Sequence, residues 1–258
     1  MSSEPSSNQE KDPGIDAQKQ PLVAHLIELR DRLLRIVLVT LVLFAGLFAF
    51  SNEIYEFVSA PLRAALPENS TMIATNITAS FFAPLKLTLA VALFLTVPYI
   101  LSQIWGFIAP GLYNRERKMA LPILLSSVVL FYAGVAFAYY VIFPLVWWFF
   151  SHTGPLSIQI APDITSYLEI ALKLFFAFGI AFEIPIATMI LIFSGAISPA
   201  KLISKRPYIV VGCFIVAMLL TPPDPISQCL LALPMWLLFE AGVFFGRWIK
   251  KAPDEAEA

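Results

Sequence analysis

Three acidic residues stand among neighbours that give their carboxylates something to do. Glu183 lies in "FGIAFEIPIA", residues 178–187, where the other nine residues are apolar or glycine. Glu28 lies in "HLIELRDRLLR", residues 25–35, and Glu116 stands between Arg115 and Arg117 in "QIWGFIAPGLYNRERK", residues 103–118. Two carboxylates at a membrane surface, with Trp105 and Phe107 just inside it, would suit a cationic segment followed by an apolar one. Nothing completes a catalytic set. The chain has two histidines, His25 and His152, and neither H-E-x-x-H nor G-x-S-x-G. Cys213 and Cys229 belong to no Cys/His cluster, so no metal and no cofactor is expected, and each reads as a small core residue.

The elements that must position these groups follow from composition. The chain has 258 residues, 59% hydrophobic and 14% charged, against about 45–50% and about 25% in soluble domains. A net charge of −1 and the lack of a basic, aromatic-laced face give no reason to expect nucleic acid. The apolar excess falls into six blocks, at 36–50, 85–109, 120–143, 167–193, 208–220 and 227–245. A crossing helix takes about 20 residues. The expected fold is therefore all-α, a polytopic membrane protein of six transmembrane helices with the last two short. The fifth block, at 1.5 Å per residue, covers only roughly 20 Å of a core about 30 Å thick. Either the last pair spans part of the bilayer, or the bilayer thins around it, or the pair is a re-entrant hairpin. The three prolines of "TPPDPISQ", residues 221–228, force a turn between its members. Fourteen of the 17 Lys and Arg residues fall before the first block, after the second, after the fourth or after the sixth, and Arg63 alone falls in the other loops. The positive-inside rule then places both termini in the cytoplasm. A 35-residue charged leader is too long for a cleaved signal peptide. Residues 1–20 and 251–258 are polar and expected to be disordered around a single membrane domain, 21–250.

Charges inside the blocks need a reason, because each costs about 2.5–3.5 kcal/mol on insertion scales. Lys86 can snorkel. Lys173 has Glu169 four residues earlier, a same-face pair. Glu183 has no such neighbour, so it finds a partner on another helix, faces a wet cavity, or is protonated. Pro185 removes a backbone hydrogen bond beside it and frees a carbonyl near Ala181. The plain reading is a helix–helix hydrogen bond without further role. In 25–35 the apolar residues are spaced for an interfacial amphipathic helix, with Glu28 facing Arg32 and Asp31 facing Arg35. There the plain reading is a solvated face that fixes orientation, which explains the arginines better than Glu28. No internal repeat is visible, which weighs mildly against common transporter architectures. A secondary transporter or channel with Glu183 as its proton or ion site stays open on these residues alone.

The stretches "HLIELRDRLL", "SAPLRAALP", "ASFFAPLKL", "QIWGFIAPGLYNRERK", "FYAGVAFAYYVIFPL", "FGIAFEIPI" and "KRPYIVVGCFIVAMLLTPPDPISQ" together cover nearly the whole chain outside its ends. By them the chain resembles the TatC family, the multispanning component of the twin-arginine protein translocase. The resemblance implies a concave, glove-like bundle in a bacterial inner membrane, and a subunit that is not an enzyme. It implies that Glu28 and Glu116 receive the twin-arginine motif of signal peptides, since an arginine fork suits a carboxylate better than lysine does. Arg30, Gln103 and Phe107 would belong to the same site. Pro61, Phe81 and Pro84 would belong to an outer region that shapes the concave face, and Glu183 would face that concavity within the membrane. Met218, Thr221 and Gln228 would contact single-span partners of the TatA and TatB type. The implied activity is export of folded proteins on the proton-motive force, in a larger complex with self-association and contact with membrane lipid.

Overall fold

The computed structural model describes residues 13–65, 73–108, 120–153, 163–193, 195, 197–220 and 225–254. Among them the regular structure is helical. The helices are α1 (Pro13–Leu47), α2 (Ser51–Ala65), α3 (Ala79–Ile108), α4 (Ala120–Phe137), α5 (Phe143–Thr153), α6 (Ile164–Ala181), α7 (Ile184–Phe193), α8 (Pro199–Ser204), α9 (Arg206–Leu220) and α10 (Pro225–Asp254). Several of them join into longer rods. α1 and α2 meet through a 3-10 turn at Phe48–Phe50, and α4 and α5 through a wide turn at Ala138–Ile142. α6 and α7 meet at Phe182 and Glu183. Five stretches are long and apolar enough to cross a membrane: Leu26–Ala60, Ala79–Phe107, Leu121–Phe149, Ile164–Ile192 and Pro225–Trp248. The sixth, Arg206–Leu220, is shorter.

Pro185 explains the break in the fourth rod. It has no N–H to offer the carbonyl four residues back. The Glu183 N–H turns to the Ile180 carbonyl at 3.0 Å, and the helix restarts as Ala187 N–H reaches the Glu183 carbonyl at 2.9 Å. Glycines then let this rod be gripped closely. A Cβ on Gly134 of α4 would collide with the Phe178 carbonyl, and one on Gly179 would meet the Phe131 ring at 2.7 Å. On α10, a Cβ on Gly242 would stand 2.7 Å from Pro185 Cα, and one on Gly246 would strike Ile192. Small residues four apart thus seat α10 on α7 at close range. Leu87 of α3, Ile142 of the wide turn, Leu168, Leu174 and Phe178 of α6 and Leu231 of α10 are fully buried in one core. The wide turn aims Tyr139 at α2: its hydroxyl donates to the Phe57 carbonyl at 3.0 Å and its ring stacks on Phe57. Tyr167 likewise donates to the Val58 carbonyl at 3.0 Å.

The elements run past the apolar blocks. The first block, expected to end at Phe50, carries on through the 3-10 turn into α2. Residues 13–20, expected to be disordered, are the first turns of α1, with Pro13 at the position where its missing N–H matters least. The last block lies inside a 30-residue helix that continues through the charged tail to Asp254. α9 has 15 residues, about 22 Å of helix at 1.5 Å per residue. Residues 1–12 and 255–258 lie outside the described residues.

Candidate functional site

At the C-terminal end of α3 four carbonyls lack helical partners. Arg32, reaching across from α1, takes one of them, on Gly106, and a second carbonyl one turn earlier, on Gln103. Its NH1 donates to the Gln103 carbonyl at 3.2 Å and to Gln103 Oε1 at 3.1 Å, and its NH2 donates to the Gly106 carbonyl at 3.1 Å. Gly106 is small because the guanidinium lies against it: a Cβ there would stand 2.8 Å from Arg32 NH1. The same guanidinium holds Glu28, one turn earlier on α1. Arg32 Nε and NH2 donate to Glu28 Oε1 at 3.0 and 2.6 Å. The Glu28 side chain is 44% exposed, and among the described residues its second oxygen is unengaged. Phe107 is half-buried beside this group and Trp105 is buried. Arg30 does not join. It is exposed and pairs with its neighbour Asp31 at 2.7 Å. Asp31 therefore does not pair with Arg35 as the spacing suggested, because the adjacent guanidinium reaches it first. Glu116 lies outside the described residues.

Glu183 sits at the α6–α7 break, half-buried. Ser127 of α4 lies near its carboxylate, while its Oε1 is enclosed without a hydrogen-bond partner among the described residues. The expected pair of Lys173 with Glu169 is not formed. Both side chains are exposed on α6 and no ion pair joins them among the described residues. On the last two rods, Met218 is exposed near the end of α9, and Gln228 is half-buried in the first turns of α10. Thr221 between them lies outside the described residues. Toward the other end of this pair, Arg206 of α9 binds Glu240 of α10.

The other end of α3 is about 40 Å from Phe107, given 1.5 Å per residue. There Phe81 is exposed, edge-on to Phe82, and Pro84 is buried, with its carbonyl accepting from the Thr88 hydroxyl at 2.8 Å. Pro61 lies on α2, and its side chain is outside the described set. Asp163 dominates this end. Its Oδ2 accepts from the N–H groups of Thr165 and Ser166 at 3.1 and 3.0 Å, capping α6. Its Oδ1 accepts from the Thr75 N–H at 3.0 Å and the Thr75 hydroxyl at 2.8 Å. The Thr75 N–H first, then that of Ser166 and the Thr75 hydroxyl, hold this carboxyl well below the usual carboxylate range.

The structure thus brings Glu28, Gln103 and Phe107 to one end of α3. It leaves Arg30 aside, and keeps Glu183, the Met218–Gln228 pair and the Phe81–Pro84 region as separate places. Sequence reasoning did not single out Glu240, Asp163 or Ser127, and gave Arg32 only its pairing with Glu28. Arg32 was legible as the partner of Glu28 four residues on. Glu240 was legible in the same way as Glu183, as a lone carboxylate in an apolar run. Asp163 was legible from "DITS" opening a span, an N-cap signature. Ser127 carries no such signal.

A bundle of helices long and apolar enough to cross a membrane, with a guanidinium–carboxylate group at the end of one of them, defines a polytopic membrane protein. Residues 24–234 match the family model of the Sec-independent protein translocase protein (TatC). The TatC proteins of Azotobacter chroococcum and of Escherichia coli K12 are similar to the chain. The first is 57% identical over 239 residues, 93% of this chain and 94% of that one. The second is 54% identical over 229 residues, 89% of each. A crystal structure titled as the twin arginine translocase receptor TatC superposes with a TM-score of 0.79 at 36% identity, covering 87% of this chain and 98% of that one. The chain belongs to the TatC family. It is a non-enzymatic, multipass inner-membrane component of the Sec-independent protein translocase.

Proposed function

We propose that this chain is the subunit that receives the twin-arginine signal peptide of folded proteins. The observation that carries the reading is the Glu28 carboxylate: exposed, oriented by Arg32, with one oxygen unengaged among the described residues. An arriving guanidinium pairs with that oxygen, and Arg32 keeps the carboxylate from swinging away. Glu116 supplies the second acidic contact, and Arg30, Gln103 and Phe107 border the site. The apolar part of the signal then follows the membrane-facing surface toward Glu183. Single-span TatA- and TatB-type partners pack at Met218, Thr221 and Gln228, the chain self-associates among membrane lipids, and the proton-motive force drives passage. Both termini face the cytoplasm, as the distribution of basic residues supports. The similar crystal structure is titled a receptor, which agrees with this assignment.

The test is photocrosslinking from a probe beside the arginine pair of a model signal peptide, in membranes holding this protein. The Arg-Arg peptide crosslinks, and a Lys-Lys peptide crosslinks about tenfold less, because lysine offers no fork. Glu28→Ala and Glu116→Ala each reduce the Arg-Arg signal. Equal crosslinking across all four combinations would falsify the docking site.

A further inference from the structure

Asp163 does more than cap a helix. N-capping uses one side-chain oxygen, and serine, threonine or asparagine would serve as well. Here Oδ2 caps α6, while Oδ1 is filled by the N–H and hydroxyl of Thr75, from a segment 88 residues earlier. Only a carboxylate offers two acceptor oxygens to two segments at once. Ile73 and Asp163 also pair in a parallel bridge, and the Ile164 N–H reaches the Ile73 carbonyl at 3.0 Å. From Thr75 the restraint passes into α3 within four residues. Asn76 Oδ1 accepts from the Thr78 N–H and hydroxyl, and the Ala79 N–H donates to the Asn76 carbonyl at 3.0 Å. The first turn of α3, which carries Phe81, is therefore fastened to the first turn of α6. Arg32 fastens the far end of the same helix.

We propose that Asp163 is a positioning residue for transport: by tying residues 73–75 to the start of α6, it fixes the outer end of α3 in the arrangement that passage needs. The inference rests on the signal-receptor reading above, and it concerns the step after docking. The latch is outside the docking site, so its loss leaves signal binding in place and lowers export.

Asp163→Ser separates the two roles. Serine keeps the α6 cap but has one oxygen and cannot also reach Thr75. In membranes with the partner subunits, export of a folded reporter falls about tenfold, an ordinary size for coupling between sites. Crosslinking of the Arg-Arg peptide stays within about twofold of wild type, short of the tenfold step that 1.4 kcal/mol represents. A covalent substitute supplies the second reading. Bridged residues stand within disulfide reach, so Ile73→Cys with Asp163→Cys, in a chain carrying Cys213→Ala and Cys229→Ser, restores export when oxidised and loses it when reduced. That comparison is made within one preparation, so it holds even where Asp163→Ser accumulates poorly. Unchanged export in Asp163→Ser at normal abundance overturns the proposal. So does an oxidised pair, verified by mass, that exports no better than the reduced one, and so does parallel loss of docking and export. If wild type fails to prefer the Arg-Arg peptide while export still follows the disulfide, the docking site is wrong and the latch stands.

Discussion

The two ends of α3 are held by opposite chemistry. At the Gln103–Gly106 end a cation, Arg32, gathers carbonyls and a carboxylate. At the Ala79 end an anion, Asp163, gathers N–H and O–H groups from two segments. Each sign suits a helix terminus it serves, α3 by its C-terminus and α6 by its N-terminus. The difference lies in what is left over. Asp163 has both oxygens engaged. Glu28, beside Arg32, has one oxygen unengaged among the described residues and nearly half its side chain exposed. A saturated carboxylate builds, and an unsaturated, exposed one is available to bind.

Variants at each end sharpen that contrast. The largest effect is expected from Arg32→Leu. It frees the α3 carbonyls and strips Glu28 of its holder, so Arg-Arg peptide crosslinking falls about tenfold, the scale of one charge-assisted bond network. Arg32→Lys falls between, since an ammonium cannot span the same acceptors. If Arg32→Leu crosslinks like wild type, Arg32 does not orient the site. Gly106→Ala is milder. The new methyl pushes the guanidinium by a few tenths of an ångström, and the expected loss is about two- to threefold, under 1 kcal/mol. A full loss of binding there would mean the glycine itself touches the peptide. The smallest effect is expected from pH at the other end. A carboxyl held below its ordinary value of 3.8 contributes its stabilisation above that value and loses it only as pH falls through the lower folded one. Hydrogen-exchange protection of the Thr75 amide, corrected for intrinsic rate, is therefore flat from about pH 8 to about pH 5. Protection that fades across that window would show that the latch is not saturated.

The six rods were legible because a bilayer demands long apolar runs, and hydropathy marks these plainly. Their joints were less so. The 3-10 turn at Phe48–Phe50 and the wide turn at Ala138–Ile142 contain no proline or glycine, though Pro144 just beyond the second has no N–H for the Tyr140 carbonyl, and the contact of Tyr139 with Phe57 fits the same wide turn. At the site, Glu28, Gln103 and Phe107 were expected and lie together. Arg30 was expected there through resemblance, yet it stands two residues from Arg32, about 200° around the helix, so that Arg32 reaches α3 while Arg30 is exposed and pairs with Asp31. Spacing predicted which charges could meet, but not which would. Asp31 found Arg30 rather than Arg35, and Lys173 and Glu169 stand apart, because rotamer choice on an exposed face is decided by surroundings that spacing does not encode.

The break at Glu183 divides the fourth rod into two bodies with different attachments. α6 is seated on α4 at Gly134 and Gly179, and α7 on α10 at Gly242 and Gly246. Neither half can slide without displacing its own clamp. Relative motion of α4 and α10 is therefore concentrated into the two residues between the halves, as rotation about a fulcrum. The carboxyl group of Glu183 sits on that fulcrum, so a rotation there changes the surroundings of this side chain directly.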